Sequence, residues 1–292
     1  MMQREFELSP LSVPKHDVYA MIPYPEIDPV LFSVGPIFGL GPLKVHWYGI
    51  MYLLGFVAAW RLALYHASKP WTAIKQPQVE NLIVYGAWGV ILGGRIGYVL
   101  FYDFARWLSD PALIVRVWEG GMSFHGGLIG VCIAMSFYAR FHHKKFLEIA
   151  DFAAPLVPLG LFFGRLGNFI GQELWGRATD LPWAMVFPAD DKQLARHPSQ
   201  LYEALLEGLV LFVILHLFTR KPRRPGEVGG LFLLGYGCFR FSVEFVREPD
   251  QHILFDLFGW MTRGQILCLP MILLGLYLLR GFALRKHSEA TT

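Results

Sequence analysis

The sequence predicts an all-α fold: a polytopic helical membrane protein with about seven transmembrane helices and a small external cap. Three observations carry that prediction. Of 292 residues, 54% are hydrophobic and only 17% charged, with a mean hydropathy of +0.40, which is too little charge to cover a soluble domain of this size. Apolar runs of about 20 residues, the length of a bilayer crossing, recur along the chain. The connections between them alternate between rich and poor in Lys and Arg. The many Leu, Phe and Trp residues exclude a disordered chain, and a formal net charge of +3 is too small to point to nucleic acid as a partner.

Residues 1–44 read as an N-terminal arm, with Pro10, Pro14, Pro23, Pro25 and Pro29 among acidic and polar groups. It lacks the basic start, short apolar core and cleavage site of a signal peptide, so the first span is expected to do its own targeting. Residues 45–286 form the expected seven-helix domain, with spans near 45–66, 82–104, 122–140, 151–171, 199–219, 228–247 and 264–281. Segment 172–198, which carries Trp175, Trp183 and three prolines, is too polar to cross and becomes the cap; 287–292 is a tail. Lys69 and Lys75, then Arg140, Lys144 and Lys145, then Arg220, Lys221, Arg223 and Arg224 occupy alternate connections, and Arg285 and Lys286 follow the last span. The opposite loops mix sparse basic residues with Glu173, Asp180, Asp190 and Asp191. The positive-inside rule then puts the N-terminus outside and the C-terminus in the cytoplasm. Cys132, Cys238 and Cys268 have no disulfide or zinc spacing and read as small core hydrophobes.

Charged groups within spans cost at least ~2.5 kcal/mol each on insertion scales, so Arg95, Arg165, Arg240 and Glu244 each require a reason. Pairing between helices is one reason. A hydrated polar cavity is the other, and it is favoured by the company of His125, Glu203 and Glu207. In the expected topology Tyr48, His125 and Glu203 begin inward spans, while Arg165, Asn168, Arg240 and Glu244 end outward ones. All therefore fall in the outer half of the bilayer, as one site. Tyr236, Arg240, Glu244 and Arg247 recur on one helical stripe, where Arg240 and Glu244 are spaced to pair. Gly160, Gly164, Gly167 and Gly171 form a small-residue seam that lets a second helix approach and hold Arg165 rigidly. Gly120, Gly121, Gly126 and Gly127 flank His125 and are expected to leave backbone amides open to a ligand. Ser199, after Pro198, reads as a helix N-cap. His142 and His143 lie in a basic loop and read as a solvated face, and no metal constellation or nucleotide loop is evident.

These residues stand in strings that resemble one family. His46-Trp47-Tyr48-Gly49, Gly93-Gly94-Arg95-Ile96-Gly97-Tyr98, Ser123-Phe124-His125-Gly126-Gly127 and Gly164-Arg165-Leu166-Gly167-Asn168 through Glu173-Leu174-Trp175-Gly176-Arg177 are similar to the bacterial prolipoprotein diacylglyceryl transferases. So are Arg196-His197-Pro198-Ser199-Gln200 and Tyr236-Gly237-Cys238-Phe239-Arg240 with Glu244 and Arg247. The likeness runs from about residue 22 to the last span. It departs at Gly171-Gln172, where the family commonly has Asn-Gly, and in the longer leading arm.

The resemblance implies transfer of the diacylglyceryl group of phosphatidylglycerol to a lipobox cysteine thiol of a prolipoprotein, with release of glycerol phosphate and no cofactor. It places the protein in the bacterial inner membrane. It implies catalytic weight for Tyr48, His125, Arg165 and Arg240, and phosphatidylglycerol contacts from Arg165, Asn168, Glu173, Gly176, Tyr236, Glu244 and Arg247. The chemistry suits those residue types. Cleaving the glycerol carbon–phosphate oxygen bond turns a singly charged diester into a monoester approaching two charges, and fixed guanidinium donors stabilise that change. A thiol with an ordinary pKa near ~8.5 needs either a base, for which His125 is suited, or a positive field that acidifies it. Two other classes use buried arginines as well: a transporter or flippase of an anionic lipid, expected to show related halves and broken helices, and a structural subunit whose charges pair with a partner.

Overall fold

The computed structural model describes residues 22–36, 41–248 and 260–289, with only the backbone for the last nine. Residues 1–21 of the expected arm and 290–292 of the expected tail lie outside the described residues. The rest of the arm forms an antiparallel hairpin of β1 (Val30–Val34) and β2 (Leu43–His46), with an irregular register between Val30 and Phe32. The second strand runs directly into α1 (Trp47–Ala67).

α2 (Gln76–Tyr102) begins where Lys75 N–H donates to the Gln78 side chain. A short α3 (Phe104–Ser109) and two 3-10 turns, Pro111–Val115 and Val117–Glu119, lead to α4 (Phe124–Phe141). α5 (Phe146–Ala153) and α6 (Val157–Ile170) meet at a 43° bend. Pro155 and Pro158 explain it, because each removes an amide donor and crowds the preceding turn. β3 (Met185–Val186) and β4 (Ala195–Arg196) pair in the segment after α6. α7 (Ser199–Glu203) continues through a π-helical stretch, Ala204–Val210, into α8 (Leu211–Phe218), and α9 (Glu227–Val243) and α10 (Arg263–Glu289) complete the chain.

Five helical stretches are long and apolar enough to cross a membrane, and the bent α5–α6 pair makes a sixth. The expected count of about seven is not reached by length and composition among the described residues. The shortfall is α9, whose 17 residues sit at the lower limit for a crossing; Glu227 opens it and Arg240 occupies its last turn. Only 11% of α1 and 17% of α10 over their apolar windows is buried within the protein, so both present hydrocarbon outward, as lipid contact demands. Two of the three cysteines, expected in the core, face outward as well: Cys132 and Cys238 are exposed and only Cys268 is buried. Small apolar side chains are as well accommodated by lipid as by a core.

Two glycine seams bring helices to backbone contact. A Cβ added at Gly89 would lie 2.7 Å from Gly130 O, and one at Gly93 would collide with Gly126 O, so α2 and α4 touch through their main chains. A Cβ at Gly230 or Gly237 would come within 2.9 Å of Leu278 Cβ or 2.7 Å of Ile272 Cγ1, which fixes α9 on α10. Gly126 and Gly127 therefore serve packing rather than ligand access: the Gly126 amide donates to Ser123 Oγ at 3.2 Å and the Gly127 amide to Ser123 O at 2.9 Å, closing the α4 N-terminus.

Arg95, buried at 3% exposure, has a structural role. Its guanidinium donates to the carbonyls of Leu113 (2.5 Å), Arg116 (2.8 Å) and Gly121 (3.2 Å), and also to Gly120 and Ile114. One α2 side chain thus gathers the whole connection that delivers His125 at the start of α4.

The seam makes a testable contrast. Gly93→Val should lower detergent-solubilised stability by about 1–3 kcal/mol through overpacking. Gly86→Ala, at a helical position with nothing within 4 Å of the added carbon, should be neutral or gain about 0.5–1 kcal/mol. Thermal unfolding of the two variants checks this; equal effects would contradict the seam.

Candidate active site

A buried carboxylate gathers the intramembrane arginines. Glu203, at the end of α7, is 1% exposed. Arg165 of α6 reaches it at 2.5 Å, Arg240 of α9 at 3.2 Å, and Arg247, just past α9, at 3.8 Å. Arg240 also pairs with Glu244 one turn on at 2.8 Å and lies 3.7 Å from the fully buried Glu207. Three arginines and three glutamates thus form one balanced cluster between three helices. Burying such charges is tolerable only because each faces an opposite one. The expected Arg240–Glu244 pair is present, but it is one edge of a larger network.

The local backbone explains the hub. Glu203 and Glu207 bracket the start of the π-helical stretch, whose wider turn departs from α-helical register, a feature frequent at functional sites. Gly208 in that stretch lies against α6, where a Cβ would fall 2.7 Å from Phe162 Cβ. That close approach brings Arg165 onto Glu203. From the far side, Thr262 Oγ1 donates to Glu244 at 3.0 Å, and a Cβ at Gly264 would stand 2.7 Å from the same carboxylate.

Arg165 connects the cluster to a cavity. Its Nη1 donates to Asn168 Oδ1 at 3.4 Å, and Asn168 Nδ2 donates to Glu173 at 3.3 Å. Glu173 shares with Tyr48, Gly49, His46 and Lys44 a half-open cavity of about 720 Å³ between the β2–α1 junction and the end of α6. The Tyr48 ring lies against Gly167, where a Cβ would be 3.0 Å from its Cδ2, and the Tyr48 hydroxyl meets that of Tyr52 at 3.1 Å. The seam expected along α6 therefore holds at Gly167 against Tyr48 and at Gly160, whose Cα is 3.5 Å from a Cβ built on Gly55; Gly164 faces open space.

The segment after α6 closes over this end of the bundle. Tyr24, Phe169, Met185 and Phe187 form its buried core. Gly176 bridges Arg247 in backbone pairing and donates to His197 O at 2.9 Å, while a Cβ there would be 2.5 Å from Val246 O, so only glycine fits. Arg177 Nε donates to Arg247 O at 2.9 Å. Gly176 thus positions Arg247 through the backbone. Ser199 is the first helical residue rather than the cap; its hydroxyl donates to Leu174 O at 3.0 Å because Pro198 already occupies the cap position. Gln172 adopts φ +53, the left-handed region glycine favours, and its side chain accepts the Ala189 amide at 2.8 Å.

Of the residues expected from sequence, Arg165, Asn168, Glu173, Arg240, Glu244 and Arg247 are brought into one hydrogen-bonded or ion-paired network, with Tyr48 on the adjoining cavity. Tyr236 is half-buried and stacks on Phe232 with ring centres 5.8 Å apart. His125 is exposed on α4 with its ring against Phe124 at 5.5 Å, and no contact among the described residues joins it to the cluster. Glu203 and Glu207 were visible as intramembrane carboxylates, but their place as the hub was not. Thr262 and Gly264 carried no signal beyond small size. Among the described residues no three His, Cys, Asp or Glu side chains gather as metal ligands.

The family profile described as "Prolipoprotein diacylglyceryl transferase" matches residues 36–280 of this chain. A protein of Teredinibacter turnerae named phosphatidylglycerol–prolipoprotein diacylglyceryl transferase is 59% identical over 259 residues, covering 87% of this chain and 90% of that protein. Proteins of the same name from Methylococcus capsulatus and a Marinomonas species are 56% and 54% identical, covering 92% and 93% of this chain and 100% and 99% of their own lengths.

Glu203→Gln should cost about 3–5 kcal/mol, because it strands guanidinium charge in a buried site. A shift in thermal unfolding worth less than about 1 kcal/mol would contradict the hub. In the segment after α6, hydrogen bonds from Arg196, the shortest at 2.6 Å, hold the Asp190 carboxyl below the usual carboxylate range. The stability this pair contributes is complete above the unfolded-state value near ~3.9 and is lost as pH falls through the lower folded-state value. Asp190→Asn should therefore weaken the protein at neutral pH and flatten the acid limb of its melting-temperature profile; an unchanged limb would contradict the assignment.

Proposed function

The chain belongs to the prolipoprotein diacylglyceryl transferase family, and from that premise we propose that it transfers the diacylglyceryl group of phosphatidylglycerol to the lipobox cysteine of prolipoproteins. It is a multi-pass membrane enzyme of the first step of lipoprotein maturation. The observation that carries the residue assignment is the arrangement of Arg165 and Arg240 on one buried carboxylate, with Arg165 linked through Asn168 to the Tyr48–Glu173 cavity.

In the reaction, the thiol sulfur bonds to the glycerol carbon of the diacylglyceryl group as the carbon–oxygen bond to phosphate breaks. The bonding electrons leave with the oxygen, and glycerol phosphate departs. The phosphate therefore gains charge in the transition state, and donors fixed beforehand do not have to reorganise to meet it. A guanidinium has five N–H donors. Arg165, the most exposed of the three arginines at 19% of its side chain, spends Nε on Glu203 and Nη1 on Asn168 and offers its remaining hydrogens to the phosphate. Arg240 supplies the second contact, oriented by Glu244. Tyr48, Glu173 and Asn168 line the place for the glycerol head group, Tyr236 supports the Arg240 face, and Gly176 sets Arg247 at the mouth. We assign the thiol proton to His125, delivered at the α4 N-terminus by the loop that Arg95 gathers; a lipobox peptide lying across that turn brings its cysteine to the imidazole.

Residues 45–286 are proposed as one catalytic domain, with 172–198 as its external cap. The distribution of Lys and Arg supports an inner-membrane protein with the N-terminus outside and the C-terminus in the cytoplasm. The cluster and cap then face the side where secreted prolipoproteins emerge.

Purified protein in detergent with phosphatidylglycerol and a lipobox peptide should release glycerol phosphate as the peptide gains the mass of one diacylglyceryl group, and neither should occur with a Cys→Ser peptide. Release without the mass gain, or flux of intact lipid in liposomes without either, would move the protein to another class. Arg165→Gln and Arg240→Gln should lower transfer by at least about 100-fold, the scale of losing one fixed donor to a developing oxyanion. His125→Gln should lower transfer by at least about 100-fold, the scale of losing a positioned proton acceptor; transfer within a few-fold of the parent would reassign the proton to the arginine field.

A further inference from the structure

At the opposite end of the bundle is a second cavity, of about 300 Å³, between the α1–α2 connection, α5 and the α8–α9 connection. Tyr48 and His66 stand 18 residues apart on α1, or roughly 27 Å at the helical rise, so this cavity is nearly a full span away from the active site. Its floor holds Lys69, 9% exposed, and His66, 3% exposed. Lys69 Nζ donates to Thr219 O at 3.3 Å and lies 4.7 Å from the Tyr65 ring centre; no carboxylate among the described residues pairs with it. His66 Nε2 is buried without a hydrogen-bond partner. Lys221 and Arg223 stand exposed at the rim beside Trp71.

The carboxylates in the wall are turned to other donors. Asp151 accepts the Gly226 amide at 2.6 Å and the Gly229 amide at 2.7 Å, and Glu148 accepts the Lys145 amide at 2.7 Å. Burial, with the Arg220 charge nearby, holds the Lys69 ammonium below the usual lysine range. A buried cation without a counter-charge, an unpartnered imidazole nitrogen beside it and two exposed cations with an aromatic at the mouth, Arg223 held there by its Nε on Phe218 O at 2.7 Å, match the chemistry of a phosphate group that enters from the bilayer surface.

We propose that this cavity is a second anion site, binding the phosphate of an anionic lipid head group or a free phosphate ester, with Lys69 and His66 at its floor and Lys221 and Arg223 at its rim. The head group sits in the leaflet away from the active site, with its acyl chains beside α1 and α8, while a free ester takes the same floor without those chains. Occupying the cavity joins the α1–α2 and α8–α9 connections, whose helices carry Tyr48 and Arg240 at their other ends.

Native mass spectrometry of the full-length protein, using phosphatidic acid and diacylglycerol with the same chains, tests this. The Arg165→Gln background keeps active-site lipid out of the comparison. One phosphatidic acid should be retained and diacylglycerol should not, and retention should fall at least tenfold on adding Lys69→Gln. The Lys221→Gln/Arg223→Gln pair, on exposed positions that leave the interior intact, should give a fall of the same sign and covers the case in which Lys69→Gln does not fold. Displacement of the lipid by millimolar inorganic phosphate would identify a free ester as a sufficient ligand, and retention despite it would assign the site to lipid. Equal retention of diacylglycerol, or unchanged retention in both sets of variants, would overturn the proposal.

Discussion

Glu203 is a carboxylate at 1% exposure inside an apolar bundle, and such a group persists only when positive charge meets it. Arg165, Arg240 and Arg247 meet it from α6, α9 and the chain just beyond α9. Each of these arginines would itself be expensive among lipid-facing helices, so the hub and its partners require one another. The mutual requirement fixes how α6, α7 and α9 lie, and it holds three guanidinium groups around one carboxylate. Uncompensated positive charge would bind an anion tightly at rest. In the proposed reaction, glutamates that balance the arginines would keep the guanidinium groups oriented without over-stabilising the bound substrate, which is the condition for favouring the transition state.

Much of the remaining architecture holds this cluster in register. The π-helical turn after Glu203 sets the two carboxylates of that span, and Gly208 allows α6 to approach it. Thr262 and the bare Gly264 fix Glu244 from α10. Gly176 pins Arg247 through the main chain. Each device is small, and at Gly208, Gly176 and Gly264 it is room that a larger residue would fill. Arg95 does comparable work elsewhere, trading its charge for five carbonyl partners that order the loop before His125.

The fold class was legible because it rests on a quantity a sequence carries directly, the recurrence of long apolar runs. The gathering of Arg165, Asn168, Arg240 and Glu244 at one end of the bundle followed from where each lies along its span. What was not legible depends on side-chain partners. Arg95 and Arg165 look alike as lone intramembrane arginines, yet one serves carbonyls and the other a carboxylate. Gly121 and Gly126 beside His125 read as access and instead make room for Tyr98 and the α2 backbone, because only the pairing of α2 with α4 reveals what a Cβ would strike. Glu203 could be seen as costly but not as central, since its three partners come from separate parts of the chain. Thr262 has no sequence signal of its own; its importance is the hydroxyl it happens to place on Glu244.

The central claim is that the lipid phosphate is held by the arginines organised around Glu203. A structure with phosphatidylglycerol bound in a lipid nanodisc tests it most directly. The account predicts phosphate oxygens within hydrogen-bond distance of the Arg165 and Arg240 guanidinium groups, the Glu203 contacts retained and the glycerol head group directed toward Tyr48 and Glu173. A phosphate seated elsewhere, with the arginine–glutamate cluster closed and untouched, would contradict it.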